Sequence, residues 1–288
     1  RRCKECIADN REVNLEASDD SPQPLSSTYD VPLSGIAGEG ETASSGFTDK
    51  DIFKQPPERE ECDICMLTLP LLASDQKYQP CCGKILCAGC IVSAYKADDR
   101  RLCPFCRAPE FNSDEEAMER LKERVEANDA IAIHTLGSYY NRGMMGLPQD
   151  REKAVKLFHR SGELGYAMAY GKIAHSYRNG LGMERDEKKA KHYLELAAMG
   201  GDVGARHNLG CGEGSEGNMG RAMKHWMISA GAGYDGSLKG IRLLYMDGQV
   251  TKDDFEKAIR AHKEASDEMK SDQREAAVAF LAAVDGQR

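Results

Sequence analysis

Eight cysteines lie within 45 residues, between positions 62 and 106, and this cluster constrains the fold more than any other feature of the chain. They form three C-x-x-C pairs and one doublet: Cys62/Cys65, Cys81/Cys82, Cys87/Cys90 and Cys103/Cys106. A C-x-x-C knuckle brings two thiolates to one ion, and four thiolates complete the tetrahedral shell that zinc prefers. The cluster therefore predicts two structural zinc ions, each held by four cysteines.

The size of the cysteine cluster indicates what the metal would do there. A segment this short cannot bury a self-sufficient core, whereas a structural zinc ion contributes ~10 to 16 kcal/mol of apparent binding free energy that is also folding free energy. The segment should therefore unfold without metal. Sites closed by four thiolates leave no position for water or substrate, so the sequence predicts no Lewis-acid role for zinc.

The cysteine usage also bears on the cellular compartment. Neither disulfides nor buried free thiols would require three knuckles and a doublet. The sequence also shows no charged start followed by an apolar core, which is the pattern of a secretory signal peptide. We therefore expect reduced cysteines in an intracellular protein, cytoplasmic or nuclear. The sequence begins at Arg1 rather than at Met, so the compartment is inferred from the cysteines and not read from a targeting signal.

The order of the ligands carries a family resemblance. The spacing C-x2-C, x15, C-C, x4, C-x2-C, x12, C-x2-C, with the flanking letters CDICM and CPFCR, resembles the RING finger over residues 62–107. Ligands of that family interleave in a cross-brace. The resemblance implies one ion for Cys62, Cys65, Cys87 and Cys90, and another for Cys81, Cys82, Cys103 and Cys106.

The middle of the module departs from the common RING pattern, which reads C-x-H-x-x-C. If Cys82 is the third ligand, Lys84 occupies the histidine position, and a charged lysine has no lone pair for a cation. If Cys81 is third and Cys82 fourth, all eight cysteines are ligands. We favour this second register, which requires a sharp turn at residues 80–83 so that adjacent sulfur atoms reach one ion.

The RING resemblance implies a ubiquitin ligase that has no nucleophile of its own. Such a ligase docks a ubiquitin-charged conjugating enzyme and catalyses transfer by positioning the ubiquitin thioester. The docking positions of the family match Ile64 in the first knuckle, Tyr95 after the third pair and Pro104 in the last knuckle. Arg107, next to the last ligand, would hydrogen-bond both the conjugating enzyme and ubiquitin. Simple packing of the knuckles is the competing explanation for Ile64 and Pro104.

Helical periodicity dominates from residue 113 onward. Ser113 and Glu116 form an S-x-x-E capping box, which predicts a linker helix within residues 113–128. Alanines then mark a repeat at intervals of 36, 32 and 36 residues, at Ala154, Ala190, Ala222 and Ala258. An interval near 34 is typical of paired-helix repeats, which bury their apolar faces by stacking.

The motifs L-G-x-x-Y-x-x-G and D-x-x-K-A resemble the Sel-one-like repeat, a relative of the tetratricopeptide repeat. The resemblance implies about four repeats over residues 129–284, with residues 272–284 as a closing helix over the last hairpin. Tyr140, Tyr177 and Tyr245 recur once per unit, which favours a role in the core. The third unit departs from the pattern, because Glu213 replaces the tyrosine and its loop is shorter.

The sequence thus predicts a small zinc-stapled RING-type module over residues 62–107, followed by an all-α helical-repeat solenoid. Residues 1–61 carry 7 basic and 14 acidic side chains with many Ser, Gly and Pro, and we expect this segment to be disordered. Cys3 and Cys6 within it form another C-x-x-C pair, which has the spacing of half a zinc site but cannot close a structural site alone. Most of the seven histidines are expected to be solvated helix residues, and Cys211 to be an unreactive thiol with no adjacent histidine.

Composition limits the partners. The formal net charge of -8 and the lack of an apolar stretch of ~18 residues predict neither nucleic acid nor membrane as a partner. The expected partners are a ubiquitin-conjugating enzyme, ubiquitin, and an unknown protein substrate or adaptor on the helical repeats. Two alternatives stay open: a non-catalytic assembly protein, and nucleic-acid binding by a zinc module whose 6 basic side chains are offset by 4 acidic ones.

Overall fold

The computed structural model describes residues 46–98 and 100–285. The expected disorder of residues 1–45 and the Cys3/Cys6 pair lie outside the described residues. Within them, no helix is long and apolar enough to cross a bilayer.

The cysteine-rich module is built on one short hairpin and one helix. Strands β1 (Gln76–Gln79) and β2 (Lys84–Cys87) are antiparallel, with Gln76 opposite Cys87 and Gln79 opposite Lys84. A single 3-10 turn (Ala73–Asp75) precedes β1. The module is preceded by one helical turn, α1 (Asp49–Ile52), and β2 runs directly into helix α2 (Ala88–Ala97).

The rest of the chain is helical. Helix α3 (Asp114–Glu126) is capped by Ser113, whose hydroxyl accepts the Glu116 N–H. Four hairpins and a final helix follow: α4 (Ala130–Arg142) with α5 (Arg151–Glu163), α6 (Met168–Asn179) with α7 (Glu187–Met199), α8 (Val203–Ser215) with α9 (Met219–Gly231), α10 (Asp235–Met246) with α11 (Lys252–Glu268), and α12 (Asp272–Asp285).

The hairpins recur because the sequence repeats their start and stop signals. The carboxylates of Asp150 and Asp186 accept backbone N–H groups in the first turns of α5 and α7. Gly143 and Gly180 end α4 and α6 at φ +71° and +65°, a left-handed conformation that costs glycine little. In the fourth unit the cap is Thr251, and Asp253 and Asp254 lie in the first turn of α11.

Each repeat-marking alanine is buried where the two helices of a hairpin meet. A small side chain there lets the helices approach closely, and larger apolar residues from neighbouring hairpins fill the space on either side. Consecutive hairpins also pack on each other. The stacked, all-α repeat solenoid expected from the sequence is therefore present.

The last helix does not lie where the sequence analysis placed it. Instead of closing the final hairpin, α12 packs mainly against α2 of the cysteine-rich module, where Ala277 meets Ala88 and Val92. Gly89 makes this possible, because a Cβ there would lie 3.1 Å from the backbone Cα of Arg274. The chain thus returns from the end of the solenoid to the module at its start.

The expectation of disorder is wrong for residues 46–61. Ile52 at the end of α1 is 4% exposed, and its carbonyl accepts a hydrogen bond from Arg206 of α8. The Arg59 guanidinium donates to the carbonyls of Ala232 and Leu69. These residues are polar and acidic on average, but their few apolar side chains are spaced to reach the solenoid, which average composition does not reveal.

Candidate metal centre

The first and last knuckles have the same backbone geometry. The Met66 N–H donates to the Cys62 carbonyl (2.8 Å), and the Arg107 N–H donates to the Cys103 carbonyl (3.0 Å). Met66 and Arg107, each directly after the second cysteine of its pair, have φ of +57° and +62°. Both non-glycine residues adopt the left-handed conformation, which turns the chain tightly enough for the two sulfur atoms of each pair to point the same way.

The doublet lies on the sharp turn that the all-cysteine register requires. The Gly83 N–H donates to the Gln79 carbonyl (2.8 Å), and Gly83 has a φ of +74°. The turn sends the sulfur atoms of Cys81 and Cys82 to the same site. Lys84 points away, with its Nζ 3.1 Å from Asp63 Oδ1, so it takes no part in the sulfur cluster.

The eight sulfur atoms form two groups of four, the same two sets that a cross-brace implies. Within each group the Sγ atoms lie within 4.8 Å of one another. The closest pairs are Cys62–Cys90 at 3.9 Å, Cys65–Cys87 at 3.8 Å, Cys82–Cys103 at 4.0 Å and Cys81–Cys106 at 3.4 Å. Tetrahedral Zn–S bonds of ~2.3 Å separate neighbouring sulfur atoms by ~3.8 Å, so both groups fit zinc in donor type and spacing.

Burial opposes the ionisation of several of these thiols. Burial raises the pKa of Cys87, and burial with the nearby Cys103 raises the pKa of Cys82 to about 11. Burial also opposes ionisation of Cys62, but backbone N–H donors, including that of Cys87, outweigh it and lower the pKa to about 7. Thiols such as Cys82 and Cys87 would therefore keep their protons at neutral pH unless a bound cation displaced them.

The first group, Cys62/Cys65/Cys87/Cys90, is part of an apolar core. Its buried cysteines pack with Leu69, Leu86 and Ile91. Arg274 of α12, only 6% exposed, reaches this group from outside the module. Its guanidinium donates to Cys65 Sγ (3.5 Å) and to the carbonyls of Leu67 (3.1 Å) and Thr68 (2.6 Å).

The second group, Cys81/Cys82/Cys103/Cys106, lies nearer the surface and meets the other end of the helical region. Arg124 of α3 donates to the carbonyls of Pro80 (3.4 Å) and Cys81 (3.5 Å). The Tyr78 hydroxyl of β1 donates to Asp129 Oδ2 (2.8 Å), and Asp129 also caps α4. The module is therefore anchored on both sides, by α3 and α4 near one group and by α12 near the other.

The residues expected to dock a conjugating enzyme differ in exposure. Ile64 is 41% exposed, Pro104 is half-buried and Arg107 is exposed. Lys84 bridges the two knuckles, since its Nζ contacts Asp63 and lies 5.4 Å from the ring centroid of Phe105. The first and last knuckles therefore lie side by side.

Two aromatic side chains near these knuckles differ in exposure. Tyr95 is half-buried and packs inward against the core of the first group rather than standing free on α2. Phe105, between the last two ligands, is 43% exposed and was missed by the sequence reasoning. Its signal was available, because it is an apolar residue inside a knuckle, as Ile64 is.

Two expectations about the solenoid are wrong. All seven histidines are buried or half-buried, because their helix faces pack between hairpins. Cys211 does have a histidine neighbour: His207, one helical turn earlier, places Nε2 3.4 Å from Cys211 Sγ. The spacing of four residues could have predicted this pair. His207 in turn meets the hydroxyl of Ser237 through Nδ1 at 2.9 Å.

Comparison with known proteins identifies the repeats. The family model described as Sel1 repeat matches residues 130–166, 167–202 and 240–266. The prediction of Sel-one-like repeats is thereby confirmed, and the chain contains them. The unmatched residues between the second and third matches hold the unit in which Glu213 replaces the tyrosine.

Individual relatives match parts of the chain. The ERAD-associated E3 ubiquitin-protein ligase component HRD3B of Arabidopsis thaliana is 29% identical over 98 residues, 34% of this chain and 15% of that protein. The chain thus spans about one seventh of that curated relative. A Sel1 repeat protein from Oxalobacter formigenes is 25% identical with a TM-score of 0.46, covering 53% of this chain and 64% of its own. A protective antigen of uropathogenic Escherichia coli with an SLR fold is 18% identical with a TM-score of 0.46, covering 67% and 44%.

Proposed function

We propose that this protein is a RING-type ubiquitin ligase whose helical repeats bind the substrate or an adaptor. The observation that carries the proposal is the interleaving of eight cysteines into two four-sulfur groups beside a partly exposed pair of knuckles. This arrangement suits a rigid docking platform better than a catalytic metal site, because four thiolates leave no open coordination position.

Zinc fits the two sulfur groups and would supply only structural cross-links there. The cysteines of the first group would hold the apolar core together, and those of the second would fix the turn at residues 80–83 against the last knuckle. The chain's own residues would then do the binding. Ile64 and Pro104 provide an apolar contact for the conjugating enzyme, and Phe105 extends that contact.

On this proposal Arg107 would contact both the bound conjugating enzyme and its ubiquitin. It directly follows the last ligand, is exposed, and is held in a left-handed conformation by the knuckle. A guanidinium presents several donors in a fixed plane, which suits simultaneous hydrogen bonds to two proteins. Restricting the mobile ubiquitin to a reactive pose would accelerate transfer by positioning. Tyr95 would support the platform from within, since it packs against the first group.

The relative from Arabidopsis thaliana gives independent support for this context. Its printed name describes a component of an E3 ubiquitin-protein ligase, and the similarity extends over 98 residues. Sel1 repeats are stacked hairpins with extended surfaces, which favour binding to other proteins. On this proposal the repeats bring a substrate or adaptor close to the conjugating enzyme.

A ubiquitylation assay tests the proposal. Zinc-loaded protein is incubated with activating enzyme, a panel of conjugating enzymes, ubiquitin and ATP, and ubiquitin chains are detected by immunoblot. We expect chains with at least one conjugating enzyme and at least ~10-fold fewer with Ile64→Ala, because loss of ~1.4 kcal/mol of docking energy costs a factor of ten. Leu72→Ala is the matched control, since Leu72 is also an exposed aliphatic residue of the module but lies outside the knuckles.

A non-catalytic scaffold is the second candidate, favoured by one specific observation. Helix α12 covers the Ala88/Val92 face of α2, and Tyr95 is half-buried against the core of the first group, so α2 offers little free apolar surface for a conjugating enzyme. The same assay separates the two candidates. Silence across a broad panel, with a folded protein that retains its metal, would reject the ligase and favour the scaffold.

A further inference from the structure

Residues 47–53, hereafter the docked segment, lie on the solenoid in a single helical turn with its flanks. Thr48 and Asp51 cap this turn, with the Thr48 hydroxyl 2.6 Å from Asp51 Oδ2. Ile52 is buried against the helices beneath. The segment thus contacts the solenoid as a short, locally ordered peptide. Only eight residues connect it to Cys62, the first cysteine of the module.

Aromatic contacts hold both ends of the docked segment. The Phe47 ring stacks on His192 of α7, with centroids 5.3 Å apart and planes 3° apart. The Phe53 ring lies 4.7 Å from His225 of α9, and the side-chain cations of Arg221 and Lys224 lie 5.2 and 5.1 Å from its centroid. Two aromatic rings therefore bind to histidines and cations presented by two successive hairpins.

A buried cation recognises the backbone of the docked segment. Arg206 of α8 is 2% exposed, and its guanidinium donates to the carbonyls of Ile52 and Ala198. One of these two acceptors belongs to the docked segment. Removing the segment would leave a buried guanidinium donor to find another acceptor, which is costly for a buried charge.

The third repeat differs from the others where the docked segment binds. In the first two repeats the Tyr-x-x-Gly tyrosine lies under a lysine: Lys153 is 4.3 Å from the Tyr140 centroid and Lys189 is 5.4 Å from that of Tyr177. In the third repeat both partners change, to Glu213 and Arg221.

The new pair is an ion pair that reaches the docked segment. Glu213 is 3% exposed, and its Oε1 lies 3.2 Å from Arg221 Nε and 3.2 Å from Lys191 Nζ. Arg221 Nη1 in turn pairs with the Asp49 carboxylate of the docked segment. The first two repeats thus have a packing contact between tyrosine and lysine at this position. In the third repeat, Glu213 instead orients the Arg221 guanidinium toward an acidic side chain. A repeat with only a structural role does not require such an orientation.

We propose that the surface formed by α7, α8 and α9 is a peptide-docking site that the chain fills with its own residues 47–53. The partner that fits this site is a short peptide of another protein. This peptide has an acidic residue three positions before an Ile-Phe pair, and an aromatic residue two positions before the acidic residue. Such a partner binds by displacing the docked segment. The inference rests on the protein-binding part of the proposed function and specifies its ligand.

Displacement has a predictable effect on affinity. A peptide that competes with a tethered copy of itself binds with an apparent Kd raised by the inverse of the fraction of open sites. A variant in which the tethered copy cannot dock should therefore bind the free peptide more tightly than the natural chain. The site would then be most available to partners when residues 47–53 are displaced or modified.

The experiment uses the full chain and a fluorescent peptide of residues 46–56, followed by fluorescence anisotropy. In the Ile52→Asp variant we expect binding with a Kd on the order of tens of micromolar, and in the natural chain binding at least about tenfold weaker. Lys50→Ala is the matched control, because Lys50 lies in the same turn with an exposed side chain. It should bind the peptide as weakly as the natural chain does.

A second opened chain keeps the test valid if Ile52→Asp perturbs folding. Phe53→Ala is the milder way to open the site, because Phe53 is only half-buried. The double substitution Glu213→Tyr/Arg221→Lys, built in the Phe53→Ala chain, restores the pair of the first two repeats and should reduce peptide binding at least about tenfold. Equal peptide binding by the natural and opened chains, or binding that survives the restored Tyr–Lys pair, would overturn the proposal. No ubiquitin transfer is involved, so failure here leaves the ligase proposal standing, and a silent ligase assay leaves this site standing.

Discussion

The two four-cysteine groups of the module use the same ligand type in different surroundings. In the first group Cys62, Cys87 and Cys90 are buried and pack with apolar side chains. In the second group only Cys103 is buried, and Cys106 is exposed. The first group is thus both a candidate metal site and the centre of a small apolar core, whereas the second is a candidate metal site near the surface.

The two groups also connect differently to the solenoid. Arg274 of α12 reaches a sulfur atom and two carbonyls of the first knuckle, at 2.6 to 3.5 Å. Near the second group, the hydrogen bonds from Arg124 to the turn are 3.4 and 3.5 Å long. The first group therefore couples the module to the far end of the chain, so loss of a ligand there should also affect α12.

Loss of a single cysteine ligand should have the largest effect on stability, and this effect should differ between the two groups. Cys62→Ser should remove the first metal site. Because structural zinc binding contributes ~10 to 16 kcal/mol to folding, the core of the module should then unfold and α12 should lose its contact with α2. Cys106→Ser should lose one ion while α2 and α12 stay packed. Hydrogen exchange of α2 and α12 measures the difference, and equal protection in the two variants would refute the comparison.

A smaller effect is expected from the two arginines. Arg274→Ala removes a buried guanidinium that satisfies Cys65 and two carbonyls, and should lower the free energy of unfolding by about 2 to 4 kcal/mol. Arg124→Ala, the matched control near the second group, should cost about 1 kcal/mol or less, because its bonds are long. Urea unfolding measures both. A larger loss for Arg124→Ala would reverse the assigned roles of the two groups.

The smallest effect concerns the contact between α2 and α12. Gly89→Ala places a Cβ 3.1 Å from backbone atoms of Arg274, and overpacking of this kind costs about 1 to 3 kcal/mol. Gly220→Ala in α9 is the control, since a Cβ there meets nothing within 4 Å, and it should be neutral or stabilise by up to about 1 kcal/mol. Thermal unfolding of the two variants in parallel measures the difference. Equal changes in melting temperature would contradict the packing of α12 against α2.

Local signals explain why much of the fold could be predicted. The knuckles, the turn at residues 80–83, the Ser113 cap and the Asp150 and Asp186 caps are all encoded within a few residues, where hydrogen-bonding groups and glycine determine the backbone. The repeat interval likewise reports which faces must stack. Of the three tyrosines that recur once per unit, Tyr140 is buried, and Tyr177 and Tyr245 are half-buried.

Long-range packing explains what could not be predicted. Helix α12 has alanines on several faces, so its sequence does not specify whether it covers the last hairpin or α2, and only Gly89 at the other end of the contact allows the approach. Residues 47–53 read as part of an acidic, Pro- and Ser-rich stretch, because their binding depends on Arg206, Glu213 and Arg221, more than 150 residues away. The Glu213 departure was visible in the sequence, but its partner was not.

Native mass spectrometry of the purified chain tests the central claim, that eight cysteines hold two zinc ions, most directly. The account predicts a mass increase of two zinc ions per natural chain and of one in Cys81→Ser, which removes a ligand of the second group only. A folded natural chain without zinc, or a Cys81→Ser chain that retains both ions, would contradict it.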